Sequence, residues 1–264
     1  MNTILITGAS GGIGEAIAFQ FAAKKHNLLL VARNESKLAA LCKELHEKYR
    51  IDTQYIAADL TKPEAAAAIY EETIKRGLNV NVLINNAGRG SSGEFYQNDL
   101  ESEIEMMQLN NASLVALTHC FLRNMIAKKS GNIINIASMI AYFPSPYMAV
   151  YAGTKHFVKI FTYALAEECK PYNLNVMLFS PGLTSSNFMN TKQNDNEWGK
   201  VVTQNSKTQT PEQVAAELMS AFEKKKSAWI SGSQNRFFAN ISGLIPPRFI
   251  ARTFGQQKRR QMGL

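Results

Sequence analysis

Tyr151 and Lys155 have the residue types and spacing best suited to acid–base chemistry in this sequence. Residues four apart in a helix lie on one face, so the phenol and the ammonium group would be neighbours. A phenol has a pKa of about 10 and is a poor acid at neutral pH. Because a nearby ammonium group lowers that pKa, the pair is predicted to exchange a proton with an alcohol oxygen, unless it is an ordinary surface pair. Ser138, at the end of an apolar run, is either a hydrogen-bond donor to a carbonyl oxygen or an ordinary turn residue.

A glycine-rich turn near the start of the chain is suited to binding a pyrophosphate. It spans residues 7–14 (Thr-Gly-Ala-Ser-Gly-Gly-Ile-Gly), between an apolar run and a helical pattern over 13–25. Gly8 would take the tight turn, Gly12 would let a backbone approach, and Gly14 would let the helix pack on the strand. The free N–H groups and the dipole at the helix start favour a phosphate. Taken alone, the segment is equally compatible with an ordinary tight loop.

The elements that must position these groups alternate between strands and helices. Apolar runs predict strands over 4–6, 27–32, 53–58, 81–84, 132–137, 175–179 and 228–231. Helical spacing predicts helices over 13–25, 35–49, 61–76, 99–109, 111–128 and 148–168, and a last one starting at Thr210. This alternation is typical of an α/β fold with a doubly wound, Rossmann-like parallel sheet. Ligands then bind beyond the carboxyl ends of the strands, where the following residues fall: Gly8, Arg33, Asp59, Asn85, Ser138 and Pro181.

Length and composition indicate one globular domain. The chain has 264 residues, of which 45% are hydrophobic and 19% charged. We expect a catalytic domain over 1–232, with a lid near 184–210, and a C-terminal extension over 233–264. The three cysteines and four histidines form no cluster, so no metal site is predicted. No apolar run approaches the roughly 18 residues of a membrane span. We expect the fold to begin at residue 3, which leaves no room for a leader, so a cytoplasmic protein is expected.

The net charge of +8 is concentrated at the C-terminus. Nine basic residues and no acidic ones lie from Lys224 onward, which leaves 20 basic and 21 acidic residues in the rest. Five apolar residues of the extension share one helical face: Phe237, Phe238, Ile241, Leu244 and Ile245. Three alternatives remain open for it: packing against protein, contact with a membrane surface, or a disordered end after about Gly255.

Several motifs resemble, in order and spacing, those of the short-chain dehydrogenase/reductase family. They are Thr7-Gly8-x-x-x-Gly12-x-Gly14, Asn85-Asn86-Ala87-Gly88, Asn110, Ser138, Tyr151-x-x-x-Lys155 and Pro181-Gly182. The resemblance covers residues 3 to about 232. It implies an NAD(P)-dependent oxidoreductase built on a single Rossmann-like sheet.

The resemblance also implies roles for individual residues. Tyr151 would be the general acid in reduction, and Lys155 would lower its pKa and hold the nicotinamide ribose. Ser138 would orient the substrate carbonyl, and Asn110 would hold a water. The implied cofactor-binding residues are Gly8, Ser10, Gly12, Ile13, Gly14, Arg33, Asn34, Asp59, Leu60, Asn86, Ala87, Gly88, Tyr151, Lys155, Pro181, Gly182 and Thr184.

Cofactor choice depends on the end of the second strand, where NAD-selective sites carry an acidic residue. This chain has Arg33 there, which either grips a 2′-phosphate or stacks on the adenine. Ser10 and Asn34 would add hydrogen bonds, so NADP(H) is the predicted cofactor. Two residues depart from the family pattern: Gly11, where many NADP-dependent members have Lys or Arg, and Gly153, where Ala or Ser is usual.

We therefore predict an NADPH-dependent enzyme that reduces a carbonyl to an alcohol, or catalyses the reverse. A non-catalytic NADP(H)-binding regulatory protein and an enzyme held at a membrane surface by its tail are the alternatives. The lid residues Phe188, Met189 and Trp198 favour a partly apolar substrate, unless they only pack the lid on the core. A homodimer or homotetramer is expected through the helices near 99–128 and 148–168, and no nucleic acid is expected as a partner.

Overall fold

The computed structural model describes residues 2–186, 188, 194, 196–199 and 208–263. Within these residues, one parallel sheet has seven strands in the order β3-β2-β1-β4-β5-β6-β7. The strands are β1 (Asn2–Thr7), β2 (Asn27–Ala32), β3 (Thr53–Ala57), β4 (Asn79–Asn85), β5 (Gly131–Ile136), β6 (Leu174–Ser180) and β7 (Ala228–Ile230). The order reverses between β1 and β4, so a crevice forms beyond the carboxyl ends of these two strands, where ligands bind in such sheets.

Helices cover both faces of the sheet. They are α1 (Gly12–Ala23), α2 (Glu35–Tyr49), α3 (Ala65–Lys75), α4 (Leu100–Met107), α5 (Ser113–Lys128), α6 (Ala149–Cys169), α7 (Pro211–Glu223), α8 (Ser233–Ser242) and α9 (Pro247–Gln261). Successive strand residues point to opposite faces. Ile4 and Ile6 therefore pack in one core with α1, α2 and α7, whereas Leu5 packs in the other with α3, α5 and α6. The predicted doubly wound α/β fold is confirmed.

Two helix boundaries differ from the predicted ones. Thr61 does not cap α3: its backbone N–H and its hydroxyl both donate to Asp59 Oδ1, at 3.0 and 2.9 Å, and α3 begins at Ala65. The carboxylate two residues earlier competes for the threonine in a tight local turn. The predicted helices over 99–109 and 111–128 are joined by a π-helical turn, Gln108–Ala112. The predicted start at Thr210 is present, with a capping box that includes Gln213.

The C-terminal extension folds into α8 and α9, which pack on the loop over 143–148 between Ser138 and α6. The ring of Phe143 lies 5.2 Å from that of Phe238 and 5.5 Å from that of Phe254. Lys258 Nζ donates to the carbonyl oxygen of Pro146 at 2.9 Å. Of the three alternatives for the extension, packing against protein is thus present, and α9 continues past Gly255, where a disordered end was considered. Among the described helices, none is both long and apolar enough to cross a membrane.

Candidate active site

The glycine turn brings the N-terminus of α1 against the end of β1. Gly8 and Gly12 have φ values of +67° and +59°, which side chains disfavour. Gly14 faces the carbonyl group of Gly8 and the amide of Asn86 so closely that a Cβ would collide with both. The turn therefore needs glycine at these three positions, and the first turn of α1 keeps N–H groups without helical partners. Ser10 and Ile13 lie on the same turn and are partly exposed.

Hydrogen bonds join this turn to the segment after β4. Thr7 Oγ1 accepts from the backbone N–H groups of Asn86 and Ala87, at 2.9 and 3.0 Å. Asn86 Nδ2 donates to the carbonyl oxygen of Thr7 at 2.9 Å. Two of the predicted cofactor-binding motifs are thus held together as one unit, and the Asn86 amide is engaged within the protein.

Arg33 and Asn34 follow β2 and are both exposed. Asn34 caps α2, because its Oδ1 accepts from the backbone N–H of Lys37 at 2.9 Å. That contact leaves the Nδ2 group of Asn34 free to donate elsewhere. A Cβ on Gly11 would meet only a carboxylate oxygen of Glu15, at 4.0 Å, so the space beside the turn is open.

Asp59 follows β3 and lies close enough to Arg33 to feel its charge. Burial alone would raise the pKa of Asp59, but hydrogen bonds from Thr61 and the charges of Arg33 and Lys62 outweigh it and hold the pKa below its usual range. The carboxylate is therefore ionised at neutral pH. Leu60, the next residue, is buried.

Tyr151, Lys155, Asn110 and Gly88 converge beyond the ends of β4 and β5. Tyr151 and Lys155 lie one turn apart in α6 and are 7% and 4% exposed. Lys155 Nζ donates to the carbonyl oxygen of Ile136 at 3.0 Å. A Cβ on Gly88 would lie 3.1 Å from Asn110 Oδ1 and 3.4 Å from Lys155 Nζ. Glycine at position 88 thus leaves open the space that these two polar side chains share.

Burial dominates the ionisation of both groups in this pair. It raises the pKa of Tyr151 to about 12, and a hydrogen bond with Ser138 only partly offsets it. Burial also lowers the pKa of Lys155 to about 8. Burial therefore sets the upward direction of the Tyr151 pKa. The expectation that the Lys155 ammonium group lowers this pKa stays a prediction.

Asn110 is held in the π-helical turn by three hydrogen bonds. Its Nδ2 donates to the carbonyl oxygen of Arg89 at 2.9 Å and to Thr154 Oγ1 at 3.0 Å. Its Oδ1 accepts from the backbone N–H of Arg89 at 2.9 Å. Because an amide oxygen has two lone pairs, Oδ1 keeps one acceptor position beside Gly88. The structure thus leaves Asn110 able to accept one more donor there.

A buried network of polar side chains lies behind the site and was not predicted from the sequence. Asn85 Nδ2 donates to Thr118 Oγ1 at 3.0 Å and to Asn135 Oδ1 at 2.9 Å. Asn135 Nδ2 donates to Thr162 Oγ1 at 3.0 Å. These bonds tie β4, β5, α5 and α6 together directly behind the catalytic candidates. An asparagine inside the apolar run of β5 was the available signal, since a buried amide needs partners.

The segment after β6 closes over the glycine turn. The carbonyl oxygen of Pro181 accepts from the backbone N–H of Met139 at 2.8 Å, next to Ser138. Thr184 Oγ1 donates to the carbonyl oxygen of Gly182 at 3.1 Å. A Cβ on Gly12 would lie 3.4 Å from Cβ of Ser186. Pro181, Gly182 and Thr184 thus border the same crevice as the turn.

The segment predicted to form a lid contacts the site near Tyr151 through its described residues. The ring of Phe188 lies 5.8 Å from that of Tyr151, and Asn194 Nδ2 donates to the carbonyl oxygen of Gly90 at 3.1 Å. Trp198 stacks on Tyr147 with 3.7 Å between ring centroids. Met189, also predicted for the lid, lies outside the described residues. The nearby side chains are apolar: Met106, Ile140, Phe143 and Met148.

No group of three or more His, Cys, Asp or Glu side chains is arranged to hold a metal ion in the part of the chain that the structure describes. The crevice brings together the acid–base candidates and the glycine turn, which offers backbone N–H groups for binding. Their arrangement fits a dinucleotide beside a buried proton donor.

Comparison with known proteins agrees with this geometry. The family model of the short chain dehydrogenases matches residues 2–198. A very-long-chain 3-oxoacyl-CoA reductase from Phaeosphaeria nodorum is 34% identical over 65% of this chain and 52% of its own length. The chain thus spans about half the length of that relative. An NADP-dependent 3-hydroxy acid dehydrogenase from Schizosaccharomyces pombe is 30% identical over 87% of this chain and 90% of its own length.

Among solved structures, a short-chain dehydrogenase from Sphingobium yanoikuyae in complex with NADPH is similar, with a TM-score of 0.80. It is 29% identical and the match covers 90% of this chain and 91% of that one. The sheet order, the glycine turn and the matched sequence model therefore lead to the same assignment. This chain belongs to the short-chain dehydrogenase/reductase family.

Proposed function

We propose that this protein is an NADPH-dependent oxidoreductase that reduces a carbonyl to an alcohol, or catalyses the reverse reaction. One observation carries the proposal: Lys155 and Asn110 meet beside Gly88 and Tyr151 lies beside Gly90, at the same edge of the sheet as the glycine turn. The names of the relatives give further support, since one is NADP-dependent and one structure contains NADPH. The described cysteines are free, which fits a reducing compartment such as the cytoplasm.

The residues present fit NADP(H). The N–H groups at the start of α1 would hold the pyrophosphate, approached over Gly8 and Gly12. Arg33, exposed and next to the ionised Asp59, would bind the 2′-phosphate. Lys155 uses one N–H on Ile136 and keeps two donors for ribose hydroxyls. The bound cofactor supplies the hydride; the protein positions it.

Tyr151 would supply the proton. With a pKa of about 12 the phenol is neutral at physiological pH, so it can give its proton to a carbonyl oxygen as negative charge develops there. Ser138, hydrogen-bonded to Tyr151, would donate to the same oxygen and hold it in line. The ammonium group of Lys155 would stabilise the phenolate left behind. In the reverse direction the phenolate would accept the alcohol proton.

The apolar surroundings of Tyr151 favour an apolar carbonyl compound as substrate. Met106, Ile140, Met148 and Phe188 cluster around this tyrosine. Two relatives carry names of reactions at C3 of an acyl chain: reduction of a 3-oxoacyl-CoA and oxidation of a 3-hydroxy acid. We infer a substrate with an apolar chain next to the reacting carbon.

A carbonyl panel tests the proposal. NADPH oxidation is followed with 3-oxoacyl thioesters, simple ketones and aldehydes, with NADH in parallel and a 3-hydroxy acid with NADP⁺ for the reverse reaction. We expect turnover of at least one apolar substrate, with NADPH preferred. Tight NADPH binding without turnover of any substrate would favour the regulatory alternative instead.

We propose a homo-oligomer formed through α4 and α6. Each helix exposes an apolar stripe: Leu100, Ile104 and Met107 on α4, and Phe157, Ile160 and Tyr163 on α6. Burying such stripes against a second copy would remove them from water. Light scattering should give the mass of a dimer or tetramer, which Ile160→Asp should lower and Ile74→Asp, at an exposed position on α3, should not. A monomer at micromolar concentration would contradict this assembly.

A further inference from the structure

The two C-terminal helices have an inner face and an outer face. The inner face packs on Phe143 of the 143–148 loop through Phe238 and Phe254, and it includes the buried Ala239 and Ile250. The outer face carries apolar side chains that nothing described covers. Phe237 is 68% exposed, Leu244 is 85% exposed and Phe249 is 62% exposed, with Ile241 between the first two.

Three of these exposed residues form a stripe along α8, and the fourth lies on α9. Phe237, Ile241 and Leu244 follow the spacing i, i+4, i+7, which places them along one side of α8 and its end. On α9, Phe249 is exposed whereas the next residue, Ile250, is buried. Four large apolar side chains exposed on two consecutive helices indicate a contact surface, since large apolar patches on soluble proteins often mark interaction sites.

Positive charge is exposed on α9, the helix that follows the stripe. Arg248, Arg252 and Arg260 are exposed on α9, and in the described part of the chain none forms an ion pair. Two other tail cations are engaged: Arg236 pairs with Glu217 at 3.2 Å, and Lys258 binds Pro146. No acidic residue follows Glu223 in the sequence. The outer face thus combines apolar side chains with uncompensated arginines.

We propose that this outer face docks on the surface of an anionic membrane. An interfacial helix inserts its apolar side chains at the headgroup boundary while basic side chains contact anionic lipid. A second copy of the chain fits less well, because a symmetric contact would bring arginines against arginines with no carboxylate to pair with them.

The docking surface lies next to the substrate side of the site. Lys258 binds the carbonyl oxygen of Pro146, and Arg259 Nη1 donates to the hydroxyl of Tyr147 at 3.5 Å. The ring of Tyr147 stacks on Trp198 of the lid. Docking would therefore set the proposed active-site entrance at the lipid surface. That consequence rests on the proposed function, whereas docking itself does not depend on turnover.

Vesicle sedimentation of the full chain tests docking without an enzyme assay. We expect binding to vesicles of phosphatidylcholine with phosphatidylserine, weaker binding to phosphatidylcholine alone, and release at high salt. The double variant Arg248→Gln/Arg252→Gln should lower the partition coefficient about 30-fold. Leu244→Asn/Phe249→Asn should abolish sedimentation.

Matched controls separate this surface from general effects. The double variant Lys43→Gln/Lys75→Gln removes two exposed cations, one on α2 and one on α3. The variant Ile74→Asn removes an exposed apolar side chain of α3. Each of these two control proteins should sediment like the parent chain. Thermal melting and NADPH binding show that each variant is folded.

The proposal is overturned if the parent chain stays in the supernatant with both vesicle types, or if tail and control variants lose binding equally. It is also overturned if Leu244→Asn/Phe249→Asn lowers the oligomer mass while no variant changes sedimentation, because the face would then join two copies.

Discussion

Lys155 Nζ donates to the backbone carbonyl oxygen of Ile136 at 3.0 Å, deep below the surface of the site. The lysine is 4% exposed, and burial lowers its pKa to about 8. A buried ammonium group stabilised by one described hydrogen bond costs the fold free energy. The group proposed to support the proton donor is therefore a source of instability in the protein without cofactor.

Replacing this lysine should stabilise the fold. The pKa of Lys155 is lower in the folded chain than the unfolded value of about 10.4, so the unfolded chain holds the proton more tightly. The charged lysine therefore lowers the free energy of unfolding by its full amount below about pH 8. This loss disappears as the pH rises from about 8 to about 10.4. Lys155→Met should raise the free energy of unfolding at pH 7 by about 2 kcal/mol, after allowing for the lost hydrogen bond.

Denaturant unfolding of the parent chain and of Lys155→Met, at pH 7 and at pH 10, measures this difference in the free energy of unfolding. The difference between variant and parent should shrink at pH 10, and the variant should lose turnover. A variant that is less stable than the parent at pH 7 would show that the buried charge is not costly.

Two glycine-to-alanine substitutions should have opposite effects. A Cβ on Gly14 would collide with the Gly8 carbonyl group, so Gly14→Ala must move α1 away from β1. We expect loss of NADPH binding and a free energy of unfolding lower by about 2 kcal/mol. A Cβ on Gly153 in α6 meets nothing within 4 Å, so Gly153→Ala should raise stability by up to about 1 kcal/mol. Similar melting and binding curves for the two variants would contradict the close packing of the turn.

Arg33 should determine the preference for NADPH. Its side chain is exposed beside β2, with no acidic residue in the position that NAD-selective sites use. Arg33→Ala should lower kcat/KM with NADPH by about tenfold or more and leave kcat/KM with NADH nearly unchanged. Arg123→Ala, at an exposed position on α5, serves as the control. An unchanged ratio of the two kcat/KM values would assign the 2′-phosphate to other residues.

The fold class was predictable because its signals are local. All seven strands were visible as apolar runs, and β2 and α2 have the predicted ends. The start of α3 was not predictable in this way: the sequence predicts a helix from residue 61, but Asp59 binds Thr61 in a local turn and α3 begins at Ala65. The π-helical turn is not visible either, since its residues have the same apolar spacing as an α-helix.

The sequence predicts which residues form the candidate site, but not the direction in which their pKa values shift. Helical spacing placed Tyr151 beside Lys155, but how deeply both are buried, and hence the direction of both pKa shifts, depends on residues far away in sequence. The extension shows the same limit. An apolar helix face predicts that the helix packs against something, but it does not identify the partner. Phe143, which packs on Phe238, lies almost a hundred residues earlier in the chain.

The proton donor is the central claim, and Tyr151→Phe measures it most directly. The variant keeps the ring in its packed position and removes only the hydroxyl. With a substrate found in the carbonyl panel, kcat should fall at least about 100-fold while NADPH binds as to the parent chain. Tyr163→Phe, at an exposed position of the same helix, should keep full activity. A Tyr151→Phe protein that keeps most of its kcat would contradict the proposed mechanism.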